Sequence, residues 1–210
     1  MDAAHIDMQI LPLTSPGTEQ LADSEAEAVA KETNDYLAAA MRSYPNRFGG
    51  FASLPCANPK AAAAELERRV NDYGFKGAVI NGHVQGRSLD DAFFWPIFER
   101  AEALNVPIYL HPTRPSKAVI DASCGGFAPI VTEMLSGPGW GWHIETAVHA
   151  IRIILGRVFD RYPGLQLVVG HMGETLPFML QRLGVMPIAM TKLKRPISAY
   201  PRENIHYTFN

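Results

Sequence analysis

Apolar runs of strand length recur along the chain, and segments of helical pattern separate them. The first run is Met8-Gln9-Ile10-Leu11-Pro12-Leu13, and a Glu/Ala-rich stretch from Thr18 to Tyr44, free of proline, follows it. That composition predicts a helix, broken by Pro45-Asn46. A second run, Phe48 to Leu54, leads into an Ala-rich segment over 58–73. Asn58-Pro59 there reads as an N-cap followed by proline in the first turn, and Gly74 as the stop. Gly77 to Asn81 predicts a third strand and Asp90 to Leu104 a third helix with an acidic start. Val106 to His111 is the fourth strand. The Pro/Gly/Ser-rich stretch 112–140 reads as a long loop of the kind that is functional or partly disordered. Gly141 to Tyr162 predicts one long helix, Leu165 to His171 a fifth strand, Leu176 to Gly184 a short helix, and Asn204 to Phe209 a sixth strand.

This alternation, with several strands almost continuously apolar, predicts an α/β protein whose parallel sheet is covered by helices. A doubly wound open sheet and a closed eight-stranded barrel both satisfy the pattern. Periodicity leaves the two open, although no Gly-rich phosphate loop follows any strand to support nucleotide binding.

In either architecture the site lies at the carboxyl ends of the strands. The polar residues read there are Thr14-Ser15, Pro55-Cys56, Asn81-Gly82-His83, His111, His171 and Asn210. His111 ends an apolar strand just before Pro112, where a neutral imidazole would ligate a divalent metal or bond loop backbone. His171 sits in Gly170-His171-Met172-Gly173-Glu174. Glu174 would either orient that imidazole for acid–base work or simply favour the start of the next helix. Trp140 and Trp142 would wall an apolar pocket or merely pack, with His143 and Glu145 beside them at the helix start. His83 reads as a solvated loop residue, His5 and His149 as structural, and His206 as a strand residue. Arg182 would pair a substrate carboxylate or form a surface or interface ion pair.

Composition narrows the partners. A net charge of −2 offers no electrostatic case for nucleic acid or an anionic membrane surface. The short Lys192-Leu193-Lys194-Arg195 run reads as a solvated face. No stretch approaches the ~20 apolar residues of a transmembrane helix, and Met1 to Ile6 lacks the pattern of a signal peptide. The expectation is a cytoplasmic protein in which Cys56 and Cys124 stay reduced.

Several stretches together resemble the amidohydrolase-related decarboxylases, which include γ-resorcylate, 2,3-dihydroxybenzoate, 5-carboxyvanillate and aminocarboxymuconate semialdehyde decarboxylases. They are Met1–Gly17, Arg47–Pro55, Phe93–Pro112 with its Tyr109-Leu110-His111-Pro112, Trp140–Pro163, and Val168–Phe178 with Gly170-His171-Met172-Gly173-Glu174. The resemblance implies a TIM-type (β/α)8 metal-dependent hydrolase barrel, with about six of its eight strands within residues 1–210 as a single, incomplete domain. It implies one divalent metal ion, zinc or manganese, with His111 as a ligand. His171 would act on the substrate with Glu174 as its partner, and Arg182 would contact substrate or a neighbouring subunit. The activity implied is non-oxidative decarboxylation of a hydroxylated aromatic carboxylic acid by a homo-oligomer. Alternatives are a hydrolase or hydratase on the same scaffold and a non-catalytic barrel piece serving assembly or binding. The family's first-strand metal ligands and last-strand aspartate, the expected proton donor, have no counterpart here. The reading therefore expects a longer chain at both ends and little activity from these 210 residues alone.

Overall fold

A computed structural model describes residues 1–209, so the strand-end reading at Asn210 lies outside the described residues. The strands are β1 (Gln9–Leu11), β2 (Phe48–Gly50), β3 (Ala52–Ser53), β4 (Ala78–Asn81), β5 (Ile108–His111), β6 (Leu167–Val169) and β7 (Ile205–Tyr207). Every pairing is parallel. Only Phe51 separates β2 from β3. Its N–H donates to Leu11 O at 3.0 Å, and the next N–H, of Ala52, donates to Gly77 O at 2.8 Å. One extended segment thus bonds β1 through its first half and β4 through its second.

With β2 and β3 as two halves of one strand, the neighbours follow chain order, β1-β2 and then β3-β4-β5-β6-β7. A doubly wound sheet reverses its order at a switch point, and no reversal occurs among the described strands. The arrangement is the wall of a TIM-type barrel, which settles the choice that periodicity left open. Parallel strands need covered faces, and the residues of β4 show why the runs read as uniformly apolar: all four are buried.

The cover consists of α1 (Asp23–Ser43), α2 (Pro59–Tyr73), α3 (Trp95–Ala103), α4 (Lys117–Ser123), α5 (Pro129–Ser136), α6 (Gly141–Leu155), α7 (Val158–Arg161), α8 (Leu176–Leu183), α9 (Ile188–Thr191) and α10 (Tyr200–Glu203). The cap predicted at Asn58 forms, its side chain accepting from Ala61 N, and Gly74 closes α2 in the left-handed conformation at φ 70°. Leu54, Leu66, Ile80, Phe94, Phe98, Ile108 and Phe159 are buried together in the core these helices and strands share. Asn34 of α1, buried among alanines and leucine, replaces ladder bonds that the two-residue β3 cannot make. It accepts from Ser53 N at 2.8 Å and donates to Ser53 O at 2.9 Å.

Three sequence expectations are corrected. The stretch 112–140 is not a loop throughout but holds α4 and α5. Its periodicity is weak because α4 buries none of its residues and α5 only Ser136. The helix expected over 141–162 breaks after Leu155. Gly156 packs so tightly on Asp90 that an added Cβ would come within 2.8 Å of the Asp90 Cβ, and Arg157 turns left-handed at φ 63°. The first helix starts at Asp23 rather than Thr18, because Thr18 donates its hydroxyl to Leu54 O at 2.7 Å and Glu19 turns inward. Both cysteines are free and buried.

Two buried titratable groups pull stability in opposite directions. Glu19 accepts from Asn81 N–H at 2.8 Å, yet burial pushes its pKa from 4.5 up to about 7. His149 accepts from Leu89 N–H at 2.8 Å and burial lowers it from 6.5 to about 4. Between pH 4.5 and 7 the folded chain keeps a Glu19 proton that the unfolded chain has lost, so this group's contribution falls as pH rises. Between pH 4 and 6.5 the unfolded chain carries a His149 proton that the folded chain lacks, so that contribution rises with pH. The two should largely cancel between pH 4.5 and 6.5 in urea denaturation. Glu19→Gln is expected to unmask the histidine, giving stability that climbs by about 1 kcal/mol per pH unit over that window. An unchanged profile would contradict this account.

Candidate active site

At the carboxyl end of the wall, Asn81 and His111 are register partners on β4 and β5. The His111 ring lies within reach of Pro112 O, and its Nδ1–H donates there at 2.9 Å. This fixes the tautomer and leaves Nε2 with a free lone pair. Burial lowers the His111 pKa, with the neighbouring His171 adding to the effect and the Pro112 bond opposing it. The ring also stacks on Tyr109, centroids 5.9 Å apart. A neutral, oriented imidazole with an open nitrogen is the form in which histidine binds a divalent metal, so His111 fits that role.

The chain leaving β6 does something unusual. His171, Met172, Gly173, Glu174 and Thr175 all take positive φ, at 46°, 59°, 79°, 51° and 70°. For the four that carry a Cβ this costs on the order of 1 kcal/mol each. Gly173 has no substitute, since a Cβ there would lie 2.4 Å from the Tyr207 ring. Met172 N–H donates to Thr208 O at 2.9 Å and Gly173 N–H to Gly170 O at 2.7 Å, which ties the turn to the sheet. The turn drives the Glu174 carboxylate inward, where its side chain has no exposure to solvent.

Both oxygens of that carboxylate are taken by imidazoles. His171 Nδ1–H donates to Oε1 at 2.7 Å, and His143 Nδ1–H, from the first turn of α6, donates to Oε2 at 2.5 Å. Trp142 Nε1–H donates to His143 Nε2 at 3.0 Å, which requires that nitrogen to be unprotonated. Were it protonated, Pro138 O stands ready 3.0 Å away as acceptor. Trp142 also stacks on His171, centroids 6.4 Å apart and planes inclined by 29°. His111 and His171 meet edge to face at 5.9 Å.

Trp142, His143, His171 and Glu174 face a cleft of about 480 Å³ that Trp140 and Met172 also line, and His111 adjoins it through its contact with the His171 ring. A neighbouring cleft of about 540 Å³ is lined by Ser15, Gln20, His83, Thr113, Arg114 and Lys117, and Trp142 borders both. The arrangement offers an apolar wall for a flat ring, a strand-end imidazole with an open nitrogen, and a carboxylate-oriented imidazole for proton transfer. One ligand atom from each of His143, His171 and Glu174 lies within 4.8 Å of the others, so this group too could hold a metal ion.

The structure therefore brings together His111, His171 and Glu174. It does not bring Arg182 to them: that side chain is exposed on α8 and lines neither cleft. His83 accepts from Gly86 N–H at 3.0 Å beside the second cleft, and His206 is an exposed strand residue near Gln166. His143 is the member to which sequence reasoning gave no role, because it starts a helix instead of ending a strand. The adjacent Trp140-Gly141-Trp142 was its only signal.

A family model described as amidohydrolase matches residues 1–203. The γ-resorcylate decarboxylase of Polaromonas sp. is 41% identical over 221 residues, which cover 99% of this chain and 66% of that protein. Decarboxylase orsB of Emericella nidulans is 46% identical over 155 residues, covering 73% of this chain and 47% of its own length. Among solved structures, the dihydroxybenzoic acid decarboxylase of Polaromonas sp. with bound manganese and the inhibitor 2-nitroresorcinol superposes with a TM-score of 0.90 at 37% identity. It is covered over 65% of its length by the whole of this chain. The 5-carboxyvanillate decarboxylase of Novosphingobium aromaticivorans, with manganese and 3-methoxy-4-hydroxy-5-nitrobenzoic acid, gives 0.91 at 39% identity, with 100% of this chain and 61% of that one covered. The chain thus spans less than two thirds of the length of these relatives.

The strain in the turn is open to measurement. Met172 is exposed, so Met172→Gly removes its left-handed penalty without opening the core. Glycine also loosens the unfolded chain by about 0.4–1 kcal/mol. The expected net effect in urea denaturation is a gain of up to about 1 kcal/mol. A loss of that size would mean that the turn is not strained.

Proposed function

Since the chain belongs to the amidohydrolase family, we propose that the protein carrying it decarboxylates a hydroxylated aromatic carboxylic acid without oxidation, using one divalent ion, manganese or zinc. The observation that carries the reading is the buried Glu174 carboxylate, which holds His171 at a tryptophan-walled cleft with its ring 5.9 Å from that of His111.

His111 is the residue of this chain that would hold the ion, through Nε2. When bound, the ion supplies Lewis-acid stabilisation and a template for the carboxylate and its neighbouring oxygen. Trp142 offers its face to the aromatic ring. His171, held at Nδ1 by Glu174, presents Nε2 to the ring hydroxyl and gives or takes the phenolic proton there. In the reaction the ring carbon gains a proton from an acid, which the family resemblance assigns to the last-strand aspartate, and its bond to the carboxylate breaks. The electron pair returns to the ring as carbon dioxide leaves. Glu174 keeps the imidazole in one tautomer throughout and stabilises it when charged. Arg182 has no place in this cleft. We assign it to an ion pair with a neighbouring subunit at the exposed face of α8. The setting we propose is a cytoplasmic homo-oligomer, with a small aromatic carboxylate as the partner molecule and neither nucleic acid nor membrane. No described helix is long and apolar enough to cross a membrane.

With the manganese-loaded protein that carries this chain and γ-resorcylate, the expected result is release of carbon dioxide, lost on chelation and restored by metal. His111→Ala should lower metal content in elemental analysis, with affinity falling by at least the roughly 10–100-fold that losing an outer-shell partner costs. Undiminished decarboxylation by chelated protein would sink the reading. Incorporation of solvent oxygen-18 into product would replace it with hydrolysis or hydration.

A further inference from the structure

Glu174 binds two imidazoles, and the proposed chemistry uses only one. The second, His143, comes from a different element, 31 residues earlier in the chain. Its contacts close a ring of four side chains: Trp142 donates to His143, His143 donates to Glu174, Glu174 accepts from His171, and His171 stacks on Trp142. We infer that His143 is a positioning residue for the acid–base imidazole, fixing the free oxygen of Glu174 and thereby the direction in which His171 Nε2 points; this rests on the reading of His171 given above.

The argument is one of unmet demand. A carboxylate with no solvent exposure needs a donor for each oxygen, or the unpaired oxygen retains its full desolvation penalty. His171 lies three residues from Glu174 in the same left-handed turn, so their bond travels with the turn and cannot anchor it. His143 is the anchor from outside. It stands on the first turn of α6, whose buried residues Ala147, Ala150, Ile153 and Ile154 belong to the core. Trp142 fixes the far nitrogen of His143, and the perpendicular packing of the two rings, at 89°, limits rotation. Without the His143 bond, Glu174 would turn toward water, the strained turn would relax, and His171 would lose its fixed tautomer.

Asparagine and leucine have nearly the same shape, but only asparagine can place an N–H where His143 Nδ1–H now stands. The test is imidazole NMR on the metal-free full chain labelled with 15N-histidine. In the parent protein the His171 Nδ1–H bound to Glu174 should give a slowly exchanging, downfield resonance. It should survive in His143→Asn and exchange at least about tenfold faster in His143→Leu, the equivalent of one hydrogen bond to a charged group. Equal behaviour of the two variants, or an unchanged resonance in His143→Leu, would overturn the inference, because packing alone does not distinguish them. Should the leucine variant fail to fold, Trp142→Phe keeps the ring and deletes only its N–H. Exchange at both imidazoles should then rise about fivefold, the equivalent of one neutral hydrogen bond, and no change would count against the ring. In the manganese-loaded protein that carries this chain the same pair should split kcat, with His143→Leu down by about tenfold or more and His143→Asn close to the parent, while KM stays within about twofold. Absence of turnover in the parent would refute decarboxylation and leave the resonance test standing.

Discussion

The desolvated carboxylate of Glu174 organises the rest of the site. A charge removed from water needs donors, and those available come from two parts of the chain: the turn after β6 and the start of α6. Their bonds offset two costs at once, the burial of the charge and the left-handed backbone from His171 to Thr175. Neither cost is met by the turn alone. The His171 imidazole is held through Glu174 by His143, and α6, which carries His143, is packed into the core.

The fold makes that arrangement possible through parallel strands laid in chain order. Parallel connection puts every strand-to-helix turn at one end, so Asn81, His111 and the turn after Val169 lie together without any loop crossing the sheet. Polar groups are then pressed into a crowded, partly dry rim. Burial lowers His111 toward the neutral form that a metal requires. The same burial raises Glu19 to about 7 below Asn81, so a shared cause has opposite effects on a base and an acid.

Trp142 has an unusual share in this design. It separates the two clefts, supports His171 by stacking and bonds His143 through its indole N–H. A rigid aromatic side chain can serve as wall and as donor at once because its apolar face and its single polar edge point in different directions. The manganese-bound relatives carry aromatic ligands, and a flat wall beside a metal-competent imidazole is consistent with that chemistry.

Alternating apolar runs and helical segments determined the parallel α/β class, and local chemistry determined several boundaries, such as the Asn58-Pro59 start and the Gly74 stop of α2. The strand-end position of His111 and the three-residue spacing of His171 and Glu174 were legible for the same reason: each depends on neighbours within a few residues. Elements without a buried face, α4 and α5, left no periodic trace because solvent imposes none. The break at Gly156 arises from contact with Asp90, and the bond from Glu19 to Asn81 spans 62 residues. His143 belongs to that second group. Its character as a histidine was visible in the chain, but its partner was chosen by the packing of α6 against the turn after β6, a relation that only the folded structure contains.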